Sequence, residues 1–121
     1  MKALIIVDHG SKVDEANQML AEVAELVKQK NSDFEIVVYC HMELAEPTIE
    51  QAFKECVTSG AKHIVVHPYF LAPGRHSTQD IPSMVLEAAK NYPDVSYTVT
   101  DPLGIHDNII DVILDRASSK N

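Results

Sequence analysis

Apolar residues follow two alternating patterns along the chain. Residues 3–7 form an uninterrupted apolar run, ALIIV, which is typical of a parallel strand buried on both faces. From residue 13 to residue 30 the apolar residues instead recur every three or four positions, which predicts an amphipathic helix. The alternation continues to the end of the chain. It predicts strands at 3–7, 34–40, 61–67 and 95–100, and helices at 13–30, from 46–48 to 60, from 77 or 80 to 91, and at 105–117.

The order of these elements predicts the fold class. Helices long enough to act as crossovers separate the strands, so the sheet should be parallel with helices on both faces. Pro47 near the first position of the second helix and Gly60 at its end agree with the predicted limits of that helix. We therefore predict one α/β domain over residues 1–121, a four-stranded parallel sheet flanked by helices. Four strands are few for a doubly wound fold, which leaves room for a dimer.

Charge and the length of the apolar runs argue against two classes of partner. The net charge of −8 argues against nucleic acid, because duplex binding needs a basic footprint. No apolar run approaches the roughly 20 residues that cross a membrane, and the N-terminal run stops at Asp8, too early for a signal peptide. We therefore predict a cytoplasmic protein.

Cys40 and Cys56 are expected to be reduced packing residues, since they form no close metal-ligand pair.

Chemically active residues follow three of the predicted strands. His9 comes after the first strand, Glu43 after the second and His76 after the third. In an open parallel sheet ligands bind beyond the carboxyl ends of the strands, so these residues should converge on one edge. Two imidazoles and a carboxylate suit a divalent ion such as Fe²⁺, Co²⁺, Ni²⁺ or Zn²⁺ and leave coordination positions open. The alternative is that each histidine is only a surface or hydrogen-bonded residue, as we expect for His41, His63, His67 and His106, with His41 the least certain because it lies near Glu43.

Ser11 follows Gly10 in a turn that a phosphate could occupy. The chain lacks both GxGxxG and GxxxxGK[ST], so a dinucleotide or P-loop site has little support. It also lacks a GxSxG elbow around Ser11, which argues against a serine hydrolase. Ser11 is instead predicted to cap the first helix.

Three segments carry a resemblance to a known family. They read VDHGSK at residues 7–12, MELAEPTIEQAF at 42–53 and PYFLAPGRHSTQDIP at 68–82. Together, in this order and spacing, they resemble the small class II chelatases, the short CbiX-type sirohydrochlorin chelatases related to the siroheme ferrochelatase and to the nickel-inserting archaeal enzyme. The resemblance extends from Met1 to about Ala117. It implies a chelatase-like, flavodoxin-like half-domain, of which longer relatives contain two in tandem.

The resemblance also implies an activity. Such enzymes insert a divalent metal ion into sirohydrochlorin or a related carboxylate-rich tetrapyrrole and release two protons, in cobalamin-type or siroheme-type biosynthesis. It assigns the catalytic and metal-binding roles to His9, Glu43 and His76. The ion, Co²⁺, Fe²⁺ or Ni²⁺, would be a substrate, with no permanently bound cofactor, and the short form would work as a homodimer. Asp8 stands where relatives often have a small residue, and it either orients His9 as a hydrogen-bond acceptor or is a solvated strand end.

A loop with apolar side chains precedes His76 and is expected to hold the substrate. Its apolar residues could form a wall against the macrocycle, and Arg75 could pair with peripheral carboxylates. Alternatively, Phe70 and Leu71 only extend the third strand into the core. Because charges are screened over about 10 Å at 0.1 M salt, local cations such as Lys12 and Arg75 matter more than the negative total. The predicted substrate-binding residues are Ser11, Lys12, Tyr69, Phe70, Leu71 and Arg75.

Two hypotheses from other classes are compatible with the sequence. A non-enzymatic metal chaperone would need His9, Glu43 and His76 but not the apolar loop. A flavodoxin-like nucleotide or regulatory module would use Gly10 and Ser11 to bind phosphate. The sequence leaves open which metal and which pathway are served, and whether Glu43 binds metal or accepts a proton.

Overall fold

The structure, a computed structural model, describes residues 1–75 and 79–118 of the chain. In this part of the chain strands and helices alternate in the predicted order. The strands are β1 (Lys2–Asp8), β2 (Ile36–His41), β3 (His63–Pro68) and β4 (Ser96–Val99), and the helices are α1 (Asp14–Lys30), α2 (Ile49–Thr58), α3 (Ile81–Ala89) and α4 (Asp107–Ala117).

The four strands form one parallel sheet in the order β2-β1-β3-β4. In the pairing of β1 with β2, the last residues of the two strands, Asp8 and His41, are register partners. Val7 pairs with Pro68 at the end of β3 in the same way. The carboxyl ends therefore meet at one edge of the sheet, and the predicted fold class, a four-stranded parallel sheet flanked by helices, is confirmed.

Strand β1 has helices packed on both of its faces, which explains its uninterrupted apolar run. On one face Ile5 and Val7 pack with Phe53 of α2 and Val85 of α3 in the larger core cluster. On the other face Ile6 packs with a smaller cluster that includes Leu20 and Ala24 of α1. Truncating a fully buried aromatic residue such as Phe53 to alanine typically costs about 3–5 kcal/mol, so the larger cluster fixes α2 and α3 firmly.

Two helix starts differ from the sequence-based prediction. Pro47 does not lie in α2 but precedes its N-cap, Thr48, whose hydroxyl accepts a hydrogen bond from the backbone N–H of Gln51 in a capping box. Ser11 does not cap α1, because the N-cap position is Val13 and no side chain caps it. Instead the Ser11 hydroxyl accepts a hydrogen bond from the Val13 N–H at 3.0 Å. The side chain of Asn17 bonds the backbone of Ser11, and this turn takes the place of a cap.

The helix α4 buries none of its residues. Its apolar side chains Ile110, Ile113 and Leu114 are each about half exposed, at 46%, 56% and 59%. Since α1 packs on β1 and β2, the neighbouring surface of β3 on that face stays open, with an apolar cavity of about 380 Å³. Its lining includes Leu4, Ile6, Val65, Tyr69 and Leu103.

No helix within residues 1–75 and 79–118 is both long enough and apolar enough to cross a bilayer.

Candidate metal site

Beyond the ends of β1 and β2, backbone hydrogen bonds continue to hold the two segments together. The N–H of Met42 donates to the carbonyl oxygen of Asp8 at 2.8 Å, and the N–H of Glu43 donates to that of His9 at 3.0 Å. These bonds extend the strand pairing by two residues after its regular part ends at His41. As a result His9 and Glu43 are held side by side at the carboxyl edge of the sheet.

The side chains of His9 and Glu43 meet at this edge. Nε2 of His9 lies 2.8 Å from Oε1 of Glu43, and the two side chains are 39% and 51% exposed. Nδ1 of His9 lies 3.2 Å from the carbonyl oxygen of Gly10. Both ring nitrogens therefore face oxygen acceptors, so satisfying both contacts takes a proton on each nitrogen, or one on Nδ1 and one on Glu43. The pair thus holds a proton at a solvent-accessible position that a metal ion could take.

His76, the third residue of the predicted trio, lies outside the described residues, as do Ser77 and Thr78. Within residues 1–75 and 79–118, no group of three or more His, Cys, Asp or Glu side chains is arranged to hold a metal ion. The described part of the site therefore supplies an imidazole and a carboxylate, and the trio stays a prediction.

Asp8 has a role that the sequence did not predict. It neither bonds His9 nor ends the strand in solvent, since its Oδ1 lies 2.6 Å from Nδ1 of His41. The His41 side chain is only 1% exposed, and its buried Nε2 has no hydrogen-bond partner among residues 1–75 and 79–118. As expected, His41 is hydrogen-bonded within the fold rather than placed at the solvent-exposed site. The register between β1 and β2 brings Asp8 and His41 together, and a single sequence does not reveal that register.

The remaining histidines of the described chain also have structural partners, as expected. Nδ1 of His63 lies 2.7 Å from the Ser96 hydroxyl, and Nδ1 of His67 lies 2.9 Å from that of Thr100. His106 caps α4 by accepting a hydrogen bond from the N–H of Asn108. Burial lowers the pKa of His67 because desolvation disfavours the imidazolium, although a backbone hydrogen bond at Asp101 opposes this effect.

The predicted substrate loop divides into a partly buried and an exposed part. Phe70 packs against the larger core cluster, which favours the alternative that it extends the strand region into the core. Leu71 is 68% exposed, as a wall against a ligand requires, and Tyr69 is 37% exposed. Arg75 and Lys12 are both exposed, while Ser11 is half-buried in its turn.

A cleft of about 670 Å³ lies beside this loop, which fits the usual size of small-molecule sites. Pro73 and Pro82 line one side, and the segment after β4 lines the other. The N–H groups of Leu103 and Gly104 donate to the carbonyl oxygens of Phe70 and Leu71 and so fix the substrate loop to that segment. The remaining lining residues are Val99, Thr100, Asp101, Pro102 and Gly104.

Neither cysteine takes part in the site. Cys40 and Cys56 are free and buried, as expected for packing residues. Burial raises the pKa of the Cys56 thiol to about 12 and that of Cys40 well above its ordinary range. Because thiolates are the form that binds metal, these two residues are unsuited to it.

The fold and the His9–Glu43 pair define a small α/β protein with potential metal ligands at the carboxyl edge of its sheet. Residues 3–120 match the family model CbiX, and the chain belongs to that family. The family predicted from the three sequence segments is therefore confirmed.

Similar proteins of known name include both short and long chains. The chain is 51% identical over 113 residues to a chloroplastic sirohydrochlorin ferrochelatase of Arabidopsis thaliana, covering 93% of this chain but 50% of that protein. It is 37% identical to a sirohydrochlorin cobaltochelatase of Methanocaldococcus jannaschii, covering 97% of this chain and 98% of that protein. The chain thus spans about half the length of the first relative and nearly all of the second.

Solved structures of sirohydrochlorin chelatases share the fold of this chain. The sirohydrochlorin chelatase SirB from Bacillus subtilis subspecies spizizenii, in complex with cobalt, superposes with a TM-score of 0.90 at 35% identity. The alignment covers 96% of this chain and 49% of SirB. SirB from Bacillus subtilis with Fe³⁺ gives a TM-score of 0.89, also at 35% identity, over 95% of this chain and 45% of that one.

Proposed function

We propose that this protein inserts a divalent metal ion into sirohydrochlorin or a closely related carboxylate-rich tetrapyrrole and releases two protons. Membership of the CbiX family and the names of its relatives support the reaction class. The observation that carries the proposal for this chain is the 2.8 Å contact between His9 and Glu43 at the carboxyl edge of the sheet. The metal is a substrate here, and Co²⁺, Fe²⁺ and Ni²⁺ all accept these ligand types.

The site is suited to transfer of a metal rather than to its storage. An imidazole and a carboxylate, without a thiolate, bind such ions with limited strength, and the metal must leave for the ring to be filled. Nε2 of His9 is the proposed ligand, and His76 is the proposed second imidazole. Because the His9–Glu43 contact holds a proton, that proton has to leave before the lone pair of Nε2 can bind the ion.

The two pyrrole protons need an acceptor near the metal. An imidazole nitrogen cannot accept a proton while its lone pair binds the ion, so metal binding and proton removal are sequential or divided between residues. Glu43 is the proposed base because it is exposed and already shares a proton with His9. In this scheme the carboxylate takes one pyrrole proton while His9 passes the ion to the ring, and Nε2 of His9, no longer bonded to the ion, accepts the second.

Local positive charge would hold the anionic substrate. The chain carries a net charge of −8, which repels a polycarboxylate at long range. Arg75 and Lys12 are exposed, and their side chains can pair with peripheral carboxylates that lie within a Debye length. Leu71 and Tyr69 would contact the ring, with the neighbouring cleft of about 670 Å³ as the space for it.

A metal-insertion assay tests the proposal. The purified protein is mixed with sirohydrochlorin and Co²⁺, Fe²⁺ or Ni²⁺ in turn, and the visible spectrum of the ring is followed against a protein-free sample. We expect faster insertion than without protein for at least one metal, and competition between the metals would rank them. His9→Ala should lower the rate by about 100-fold or more, in the range of a lost catalytic group. His63→Gln, at the opposite edge of the sheet, is the matched control and should keep the rate.

Two other results would assign the chain to another class. Tight metal binding without any acceleration of insertion would support a metal chaperone. Thermal stabilisation by a nucleotide, with none by the tetrapyrrole, would support a nucleotide-binding module. Either result would contradict the chelatase proposal.

We also propose that the chain works as a homodimer. The exposed apolar residues Ile110, Ile113 and Leu114 form a stripe on α4, and the open apolar surface beside β3 offers a complementary site on a second copy. Relatives twice as long support this arrangement, because two copies would match their length. Light scattering should give twice the chain mass of 13.4 kDa, and Ile113→Glu should shift the protein to the monomer mass. A wild-type monomer at assay concentration would contradict the proposal.

The proposed location is the cytoplasm, on the sequence-based grounds given above. The Arabidopsis thaliana relative is named as chloroplastic, so location differs within the group. Fractionation of cells that express the native protein tests this proposal, and recovery in a membrane pellet or an organelle would contradict it.

A further inference from the structure

Asp8 and His41 form a partly buried polar pair at the ends of β1 and β2, directly before the segments that carry His9 and Glu43. Oδ1 of Asp8 lies 2.6 Å from Nδ1 of His41, a short contact typical of a charge-assisted hydrogen bond. An ionised carboxylate only accepts hydrogen bonds, so Nδ1 of His41 carries the proton and donates it. The His41 side chain is 1% exposed, whereas that of Asp8 is 23% exposed. His41 therefore cannot touch a metal ion or a tetrapyrrole from this position.

The burial of His41 has a cost in stability. Its Nε2 is a buried polar atom that lacks a hydrogen-bond partner within the described chain, and such an atom typically costs about 1–3 kcal/mol. The residue lies at the end of β2 among apolar neighbours, where an apolar side chain would avoid this cost. What the imidazole supplies in return is the hydrogen bond to Asp8.

The position of the pair links it to His9 and Glu43. Asp8 and His41 are register partners, the last that β1 and β2 share. Immediately beyond them the backbone bonds from Met42 to Asp8 and from Glu43 to His9 begin. The backbone N–H of His41 donates in turn to the carbonyl oxygen of Pro47, which anchors the return of the chain toward α2. Rotation or separation of the strand ends at this point would move His9 relative to Glu43.

We propose that Asp8 and His41 are positioning residues that hold His9 and Glu43 in the geometry for metal binding. The hydrogen bond between their side chains clamps the last register pair of β1 and β2, so the two site residues that follow start from fixed backbone positions. Neither member touches the ion. In this respect the pair differs from the usual carboxylate that bonds directly to a metal-binding histidine. The inference deepens the proposed chelatase function, and only its kinetic readout depends on that function.

The test compares Asp8→Ala with Asp8→Asn, which keeps a side-chain oxygen for the Nδ1–H of His41. The Co²⁺ dissociation constant, the visible Co²⁺ absorption bands, and kcat and KM for insertion are measured well below the melting temperature, and the thermal midpoint is measured separately. We expect Asp8→Ala to weaken Co²⁺ binding and lower kcat by about tenfold each, with altered bands, while KM for sirohydrochlorin changes less than about twofold. Asp8→Asn should restore both quantities to within about threefold of wild type.

Two further variants complete the design. His41→Phe keeps a buried ring but loses the donor, so it should reproduce the effect of Asp8→Ala on the Co²⁺ bands. Ser96→Ala removes the 2.7 Å contact to His63, another side-chain bond between strands of the same sheet but at its opposite edge, and should leave Co²⁺ binding and kcat unchanged.

Certain outcomes would overturn the proposal. If Asp8→Ala lowers only the thermal midpoint, with wild-type Co²⁺ bands and kcat, the pair is merely structural. If Asp8→Asn is as impaired as Asp8→Ala, charge rather than the hydrogen bond is responsible. If wild type binds Co²⁺ but inserts no metal, the proposed function fails, yet the Co²⁺ series still tests the positioning role.

Discussion

Gly10 passes so close to Glu43 that a Cβ atom on residue 10 would lie 1.9 Å from the carbonyl oxygen of Glu43. Its φ angle of +93° is also one that other residues rarely adopt. The close approach allows the turn after His9 to lie against the segment that carries Glu43. Glycine is therefore required here for two independent reasons, conformation and contact.

Gly10→Ala should consequently damage both stability and the site. The positive φ alone costs about 1–2 kcal/mol, and the clash with a backbone oxygen forces the two segments apart. We expect loss of the His9–Glu43 contact and a fall in insertion rate of at least about tenfold, measured together with the free energy of unfolding. Gly60→Ala is the matched control, because Gly60 has φ +103° but its nearest neighbour is the flexible Met1 Sδ at 3.6 Å. The Gly60→Ala variant should lose a similar free energy of unfolding through its strained φ angle but keep its insertion rate. Equal loss of activity in both variants would show that the contact of Gly10 with Glu43 is not the cause.

His9 and Glu43 should act as one unit. If the imidazole binds the ion and the carboxylate accepts a proton at the same place, removal of either side chain leaves the other without its function. We expect His9→Ala, Glu43→Ala and the double variant to lose insertion activity to a similar extent, a strongly non-additive cycle. Strictly additive losses in the logarithm of the rate would show that the two residues act independently.

Arg75 should affect substrate binding more than the chemical step. Its exposed guanidinium is proposed to pair with peripheral carboxylates that do not react, so Arg75→Ala should raise KM for sirohydrochlorin by about tenfold with little change in kcat. Arg75→Lys should recover only part of this loss, since lysine lacks the fork geometry. Arg116→Ala, which removes an exposed arginine on α4, is the control and should leave KM unchanged. A fall in kcat at constant KM would contradict the assignment.

His67 should make the fold sensitive to acid. Burial lowers its pKa in the folded protein, so below the unfolded value of about 6.5 the unfolded chain binds a proton that the folded chain does not. The contribution of neutral His67 to the free energy of unfolding is thus fully present above about pH 6.5, and it is lost as the pH falls through the folded pKa. His67→Gln cannot titrate, so its free energy of unfolding should fall less steeply from pH 7 to pH 5, by at most about 1.4 kcal/mol per pH unit. Parallel slopes for the variant and wild type would exclude His67 as the source.

The fold and the proximity of His9 and Glu43 follow from patterns in the sequence. The apolar run of β1 and the helical spacing in α1 are local features, and the rule that carboxyl strand ends share one edge was enough to bring His9 and Glu43 together. The first residues of the helices were harder to predict. Ser11 and Pro47 are residue types that favour a helix start, but they lie two and one residues before the actual N-caps of α1 and α2. The sequence shows which residues favour a helix start, but only the backbone decides where the first turn begins.

Features that depend on strand register or on the burial of single residues were not predicted from the sequence. The Asp8–His41 pair requires that the last residues of β1 and β2 be register partners, and periodicity does not define that pairing. The sequence predicts that α4 is amphipathic, but its spacing does not show that Ile110, Ile113 and Leu114 stay about half exposed. The sequence also could not divide the loop after β3 into Phe70 in the core and Leu71 in solvent, because both are simply apolar.

The position of a bound Co²⁺ ion would show whether His9 and Glu43 form the metal site. Crystals of the protein grown with Co²⁺ and measured at the cobalt absorption edge would locate the ion by its anomalous scattering. The account predicts an ion bonded to Nε2 of His9 at about 2.0–2.2 Å, with Glu43 beside it and His76 as a further ligand. An ion bound elsewhere on the molecule, with the His9–Glu43 contact intact, would contradict it.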